Sequence, residues 1–230
     1  MDERKVVRRA SVTLPALDEP GLYLSSVSSL EGGRGKVSEF RYSDVDLREL
    51  DLAETHLLDG LIQRVRTGRA RFHGVGLGSV HLADCELTAL QWSESKFSRV
   101  VFGNCKLMGS LFREVALDNV LFENCRFDYA TFDRVRVTGP VIFSKCTFRE
   151  AVFKASDLSS AVFEACDLRF VEFEGGGVYR GCDLRDNDLS TLRGAARLRE
   201  IVIDRTQVAQ LAEALVAELK VTYGEDIDSA

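Results

Sequence analysis

The chain has 230 residues, of which 30 are Lys or Arg and 36 are Asp or Glu, so its formal net charge is -6. Because 45% of the residues are hydrophobic, the chain can bury a core, which argues against intrinsic disorder. The acidic balance argues against nonspecific binding of nucleic acid, which needs an excess of Lys and Arg. The counts of 14 Phe and 6 Cys are unusual for a chain of this size.

Neither a membrane span nor a secretory signal is expected. No run of apolar residues is long enough to cross a bilayer, and the charged start Met1-Asp2-Glu3-Arg4-Lys5 has no apolar stretch behind it. We therefore expect a cytoplasmic protein whose cysteines are reduced.

Residues 1–40 are the first predicted segment. Four apolar residues in it are in phase with the five-residue repeat that follows, namely Leu17, Leu22, Val27 and Val37. This spacing predicts either a degraded first coil or an N-terminal strand that caps the repeats.

The repeat occupies residues 41–191. Every fifth residue from Tyr42 is apolar, with the single exception of Thr67, if one-residue slips are allowed at Thr138-Gly139-Pro140 and near Arg180-Gly181. With these slips, Val178 is a repeat position. The residue two places before each repeat position is nearly always small or β-branched. Neither a helix, which buries one residue in 3.6, nor a strand, which buries every second residue, has this period.

A unit with one large and one small inward residue predicts a short extended piece followed by a turn. Four units would carry the chain through a square coil of roughly 20 residues, and coils would stack at the parallel-strand spacing of about 4.8 Å. Each crossover should be right-handed. The sequence therefore predicts an all-β solenoid.

The unusual Phe and Cys counts belong to this predicted core. All Phe except Phe40 and Phe170 fall on large inward positions, and all six Cys fall on small ones. A metal or redox array is the alternative reading of the cysteines, but no Cys-x-x-Cys pair exists and no His shares their column, so we interpret them as small buried residues. The predicted core ladder consists of Phe102, Phe122, Phe143, Phe163, Cys85, Cys105, Cys125, Cys146 and Cys166.

The unit is plainest in Ala165-Cys166-Asp167-Leu168-Arg169 and Ala155-Ser156-Asp157-Leu158-Ser159. A small residue, Asp or Asn, Leu or Phe and two polar residues form a pattern that resembles the pentapeptide-repeat proteins over about residues 41–191. The resemblance implies a right-handed quadrilateral parallel β-helix.

Residues 192–230 are the predicted C-terminal segment, with a helix at about 206–220. Apolar residues at helical spacing lie on one face of it. The segment is either a simple lid on the last coil or a lid that also forms a two-fold dimer interface. From Leu192-Arg193-Gly194-Ala195 onwards it resembles the end of quinolone-resistance pentapeptide proteins, which implies a homodimer. The interface residues would be Val208, Leu211, Leu215, Val216 and Leu219.

The predicted function is binding of a protein partner without catalysis. No nucleophile-and-base pattern is present, so we expect no catalytic residue, cofactor or metal. The resemblance implies a DNA-mimicking rod that binds DNA gyrase or topoisomerase IV and changes its response to quinolones, without direct contact to nucleic acid or membrane. The outward acids of the last coils would act as phosphate surrogates: Asp157, Glu164, Asp167, Glu172, Glu174, Asp183, Asp186 and Asp188. The alternative is a general interaction scaffold, for which the basic cluster Arg64, Arg66, Arg69, Arg71 and His73 would bind an acidic partner.

Overall fold

A computed structural model describes residues 3–31, 35–221 and 224 of the chain. The rest of the N-terminal and C-terminal segments predicted above lies outside the described residues. The predicted fold class is confirmed, because the chain forms a parallel β-solenoid of about 7 turns with one C-terminal helix. None of the described helices is long and apolar enough to cross a membrane.

The elements follow one another as a long series of short strands. In chain order they are β1 (Arg4–Val7), β2 (Ala10–Thr13), β3 (Ser25–Ser26), β4 (Lys36–Ser43), β5 (Asp46–Leu47), β6 (Leu50–Ala53), β7 (His56–Gln63), β8 (Arg66–Thr67), β9 (Ala70–His73), β10 (Gly76–Ala83), β11 (Glu86–Leu87), β12 (Gln91–Ser93), β13 (Lys96–Gly103), β14 (Leu111–Arg113), β15 (Ala116–Glu123), β16 (Thr131–Asp133), β17 (Arg136–Val137), β18 (Val141–Ser144), β19 (Val152–Lys154), β20 (Val162–Glu164) and β21 (Glu172–Glu174). Two 3-10 turns, Ala195–Arg197 and Arg205–Gln207, precede the helix α1 (Val208–Leu219).

The solenoid has four faces, each named here by the large inward residues of two stacked coils. Face 1 contains Leu77 and Phe97, face 2 contains Leu82 and Phe102, face 3 contains Leu87 and Leu107, and face 4 contains Trp92 and Phe112. The long strands β10, β13 and β15 cross faces 1 and 2, and each bends at a residue with positive φ. Because all these pairings are parallel, residues one coil apart stack directly above one another.

The first predicted slip is confirmed and the second is wrong in position. Leu117 pairs with Val137, but Val120 pairs with Val141, so one residue is inserted between these pairs. The second insertion falls between the pairs Phe153–Phe173 and Asp157–Val178, within Gly175-Gly176-Gly177 rather than near Arg180-Gly181.

Tyr179, and not Val178, consequently takes the inward position. Tyr179 is 2% exposed and its ring lies 5.2 Å from that of Phe173, whereas Val178 is 48% exposed. Gly175 has a φ of 67°, a conformation that glycine adopts without strain. The glycine run therefore provides the extra residue, and the larger aromatic side chain fills the core.

Aromatic side chains form continuous stacks inside the coils. On face 2, ring centroids lie 4.7 Å apart between Phe102 and Phe122, 4.9 Å between Phe122 and Phe143, and 4.7 Å between Phe143 and Phe163. Each such contact adds about 0.5–1.5 kcal/mol beyond the burial itself. The polar exception Thr67 is buried with its hydroxyl donating to the carbonyl oxygen of Arg69 at 2.7 Å.

The N-terminal hairpin formed by β1 and β2 lies against the outer side of the solenoid. The first strands that stack as coils are β3 and β4, with Ser25 opposite Phe40. Strands β1 and β2 pair antiparallel, and their apolar side chains pack on outward side chains of face 2. Residues Arg4–Thr13 are called the strap below.

The helix α1 closes the C-terminal end of the solenoid. Ala214 is buried, and Leu211 and Leu215 pack against the core. At the start of the helix, the buried Gln207 side chain donates to the carbonyl oxygens of Leu184 at 2.9 Å and Asn187 at 2.7 Å. These bonds attach the start of the helix to backbone carbonyl groups of the last coil.

Candidate partner-binding surface

The acidic residues predicted as one strip share one end of the solenoid but not one face. The strand register places Asp157 on face 1, Glu164 and Asp183 on face 2, Asp167 on face 3, and Glu172 and Glu174 on face 4. Asp186 comes two residues after Leu184 of face 2, and Asp188 comes immediately before Leu189 of face 3. The acids thus surround the last coils and do not form a line.

Arginine side chains neutralise three of these acids. Asp167 accepts hydrogen bonds from Arg169 at 2.6 Å and Arg149 at 2.7 Å. The bonds from Arg169 lower the pKa of Asp167 well below its ordinary value, because they outweigh the opposing effect of burial. Asp183 and Asp186 are paired with Arg8 of the strap, at 2.8 Å and 2.7 Å.

Asp183 is buried, although it was predicted to be an outward acid that a partner could contact. Its side chain is only 3% exposed, so it cannot offer its charge to a partner. Five of the eight predicted acids have no Lys or Arg within ion-pair distance among the described residues: Asp157, Glu164, Glu172, Glu174 and Asp188. Of these, Asp157 and Asp188 accept hydrogen bonds from Ser159 and Ser190 in their own turns, and Glu164 accepts one from Ser144 at 2.6 Å.

The basic cluster is largely compensated by acids of the preceding coil or the one that follows. Arg64 lies 2.6 Å from Asp44, and Arg69 lies 3.2 Å from Glu49. The remaining members are Arg71, 3.8 Å from Asp51, Arg66, 4.0 Å from Glu86, and His73, 3.8 Å from Glu54. Exposed pairs of this kind contribute little stability, but they leave no strongly positive surface here.

The cysteines are all free and buried. Cys85, Cys105, Cys125, Cys146 and Cys166 stack along face 3, and each thiol points to a carbonyl oxygen of the preceding coil, at 3.3 Å from Cys125 to Phe102. Hydrogen bonding to Cys105 and burial raise the pKa of Cys85, and burial raises the pKa of Cys125 and Cys146. Within residues 3–31, 35–221 and 224, no group of three or more His, Cys, Asp or Glu is placed to hold a metal ion.

The predicted dimer residues differ in how far they are covered by the chain's own core. Leu211 and Leu215 are partly buried against the core. Val208 and Leu219, at the two ends of α1, are exposed, and Val216 is half-buried. The helix is therefore a cap, and Val208, Val216 and Leu219 are the predicted residues that remain available to a second copy.

The strap is not predicted by the five-residue repeat, although the sequence contains a signal for it. The outward position before each inward residue of face 2 is apolar in four successive coils: Val101, Leu121, Ile142 and Val162. An outward column of this kind needs a cover, since exposed apolar side chains are otherwise interspersed with polar ones. Val7, Ala10 and Val12 provide that cover.

Two family models match the solenoid. The pentapeptide-repeat models match residues 93–147, as nine copies, and residues 141–175, as eight copies. Together these matches cover residues 93–175, so this part of the solenoid consists of pentapeptide repeats.

Several solved structures align with most of this chain. A trypsin-treated variant of QnrB1, a plasmid-mediated fluoroquinolone resistance protein, is 16% identical over 75% of this chain and 98% of its own, with a TM-score of 0.45. HetL, a pentapeptide-repeat protein involved in heterocyst differentiation regulation from the cyanobacterium Nostoc sp. strain PCC 7120, is 14% identical over 72% of this chain and 91% of its own, with a TM-score of 0.34. No curated protein matches this chain.

Proposed function

We propose that this chain is a non-catalytic rod that binds a protein partner through the outward side chains of its last coils. The partner is a type II topoisomerase, DNA gyrase or topoisomerase IV, whose DNA-binding surface would receive the rod in place of duplex DNA. Binding there would change the enzyme's supercoiling activity or its sensitivity to quinolones.

The observation that carries the proposal is the set of carboxylates without a cationic partner around the last coils. Glu164, Glu172 and Glu174 project outward from consecutive stretches of the solenoid, while the inward positions are filled by apolar side chains. Duplex DNA carries one charge per about 1.7 Å of its axis, and a surface that binds it is strongly positive. Unpaired carboxylates on a stiff rod are the groups that such a surface would attract.

A second copy, joined through the exposed residues of α1, would place two acidic ends side by side. Val208, Val216 and Leu219 are the apolar side chains that this two-fold contact would cover. Because a two-fold interface uses the same patch on both copies, one patch on the helix suffices for it. The dimer would present its unpaired acids near the middle of a rod about twice as long.

The second candidate function is a scaffold for a different protein. Tyr129 and Phe170 favour it, because both are exposed, 63% and 44%, at the edge between faces 3 and 4. Arg193 lies 5.5 Å above the ring of Phe170. Tyrosine and arginine are enriched among the residues that contribute most to protein interfaces.

The test is a DNA gyrase supercoiling assay with increasing protein, with and without ciprofloxacin. We expect inhibition of supercoiling, or protection from the drug, at micromolar protein. A variant with Glu164→Gln, Glu172→Gln, Glu174→Gln and Asp188→Asn should lose this effect. The matched control neutralises four acids near the other end: Glu19→Gln, Glu39→Gln, Asp46→Asn and Asp59→Asn.

An equal loss of the effect on gyrase in both variants would show that this effect depends only on the net charge of the protein. The absence of any effect of the parent protein on gyrase and on topoisomerase IV would reject the topoisomerase proposal. In that case, the scaffold surface is tested with the variants Tyr129→Ser and Phe170→Ser. Each variant should fail to bind a protein that the parent protein captures.

A further inference from the structure

A cleft lies where the tip of the strap meets the edge between faces 1 and 2. Its volume is about 490 Å³. One wall consists of Arg9, Ala10 and Ser11 of the strap, and the other is formed by three successive corners of the solenoid, at 138–140, 159–160 and 181. The cleft therefore exists only while the strap lies on the solenoid.

Arg9 and Asp183 are the charged residues that line the cleft. Arg9 is exposed and lies within ion-pair distance of no acid among the described residues. The acid in the wall is Asp183, which already accepts bonds from Arg8 at 2.8 Å and Arg185 at 2.6 Å. Asp183 is thus neutralised, and the Arg9 guanidinium is the group that a ligand would meet.

Hydroxyl groups line the rest of the cleft. The Thr138 hydroxyl donates to the carbonyl oxygen of Leu117 at 3.2 Å, and the Ser159 hydroxyl donates to Asp157 at 2.5 Å. In the part of the chain that the structure describes, the hydroxyls of Ser11 and Ser160 make no such bond. They can therefore donate to a ligand without losing an existing partner.

Two of the three corners contain a glycine that another residue could not replace without cost. A Cβ on Gly139 would lie 1.9 Å from Oδ1 of Asp118, and Gly181 has a φ of 68°. Any other residue at Gly139 would clash with Asp118, and a side chain at Gly181 would impose backbone strain. The conformation of both corners therefore depends on glycine.

We infer that this cleft binds a small anion that carries a phosphate or carboxylate group. Arg9 is its charge partner, and the hydroxyls of Ser11 and Ser160 donate hydrogen bonds to its oxygens. The planar guanidinium suits both anions because it can donate two parallel bonds to adjacent oxygen atoms. This inference does not depend on the proposed topoisomerase binding.

A bound anion would also fasten the strap. Arg9 and Ser11 belong to the strap, and Ser160 belongs to the solenoid, so the ligand bridges the two. A ligand that binds only the docked state lowers the undocked fraction by mass action, about 100-fold at a free concentration of 100 times its Kd. Hydrogen exchange at the strap amides therefore gives a measure of binding that is separate from calorimetry.

The experiment is calorimetric titration of the full chain with inorganic phosphate and, separately, with acetate. We expect saturable binding of at least one anion, weakened tenfold or more in Arg9→Gln and unchanged in Arg4→Gln, which removes an exposed strap arginine outside the cleft. Ser160→Ala should also weaken binding, and it leaves the strap sequence intact. In the parent, the bound anion should slow exchange of the Val7 and Val12 amides.

Binding of phosphate alone would assign a phosphate-bearing ligand, and binding of acetate alone a carboxylate-bearing one. No saturable binding of either anion at millimolar concentration would overturn the inference. Equal affinities of Arg9→Gln and the parent protein would overturn it as well.

Discussion

The guanidinium of Arg8 lies 2.8 Å from the carboxylate of Asp183, across 175 positions of the sequence. The same side chain donates to Asp186 at 2.7 Å and to the carbonyl oxygen of Arg185 at 2.9 Å. Only 15% of the Arg8 side chain is exposed. The tip of the strap is thereby attached to the last coils by a partly buried ion pair, in addition to the apolar contacts on face 2.

Arg8→Gln is expected to loosen the strap. Hydrogen bonds to charged groups contribute about 1.5–3 kcal/mol each, and Asp183 keeps its bonds to Arg185, so we expect the free energy of unfolding to fall by about 2 kcal/mol. Urea unfolding measures this loss, and hydrogen exchange should localise it to Val7 and Val12.

Lys5→Gln is the matched control, because Lys5 pairs with Glu123 at 3.1 Å at a more exposed site of the same strap. Exposed pairs contribute about 0.2–1 kcal/mol, so its effect should be clearly smaller. Equal losses in the two variants would contradict the role assigned to the Arg8 ion pair.

The same ion pair predicts a pH dependence. Burial alone would raise the pKa of Asp183, but hydrogen bonds from Arg185 and the charge of Arg8 outweigh it, and the pKa is lowered overall. A carboxyl with a lowered pKa in the folded state stabilises the protein above its unfolded pKa of about 3.9, and this contribution is lost as the pH falls through the folded value.

Asp183→Asn should therefore be less stable than the parent at pH 7, and the difference should narrow below about pH 4. Thermal unfolding of both proteins between pH 7 and pH 3 measures it. A difference that stays constant over this range would show that the charge of Asp183 does not contribute.

Phe40 and Gly60 form a complementary pair in the small inward column. Phe40 is fully buried in a position that usually holds a small residue, and Gly60 pairs with it one coil later. A Cβ on Gly60 would lie 2.1 Å from the Phe40 ring. Gly60→Ala should cost about 1–3 kcal/mol through overpacking, measured by urea unfolding.

The double variant Phe40→Leu with Gly60→Ala tests the cause. If the clash with the ring is responsible, the two changes together should cost less than the sum of the single changes by at least about 0.5 kcal/mol. Simple additivity would contradict a clash between the added methyl group and the Phe40 ring.

The face on which each side chain lies could be predicted from the sequence, because every repeat has the same five-residue pattern. A large apolar residue at each fifth position fixes which side chains point inward, so the burial of Phe122 and the stacking of Cys105 on Cys125 follow from position alone. The position of the second one-residue insertion could not be predicted in this way, because Val178 and Tyr179 are both apolar and either could be the inward residue. Packing of the Tyr179 ring against Phe173 decides between them, and a linear pattern does not contain that contact.

The charge state of the acidic end could not be predicted in the same way. Asp186 occupies an ordinary outward position in the sequence, and its ion pair is with Arg8 of the strap, 178 residues earlier. Asp167 and Asp183 are different cases, because each also pairs with an arginine only two residues away, Arg169 and Arg185. Local pairing is visible in a repeat, whereas pairing with a segment outside the repeat depends on where that segment docks.

The cysteines should be unreactive in the folded protein. The thiolate is the reactive species, and hydrogen bonding to the next cysteine of the ladder, together with burial, raises the pKa of Cys85 and Cys105 above the ordinary value. Native protein treated with iodoacetamide at pH 8 should remain unmodified by mass spectrometry, and all six thiols should react in denaturant. Rapid native labelling of any ladder cysteine would show that the coils open locally at face 3.

The last prediction concerns the proposed dimer. Leu215 contacts the core, so Leu215→Glu would disturb the cap as well as an interface, and its effect on assembly would be ambiguous. Val208 and Val216 are not packed against the core, so Val208→Glu with Val216→Glu should give a folded monomer, because four like charges would meet across the two-fold axis. Sedimentation velocity measures the mass and circular dichroism the fold, with Arg205→Glu as a control next to the helix. A parent protein that is monomeric at tens of micromolar, or a double variant that remains dimeric, would exclude these residues as the interface.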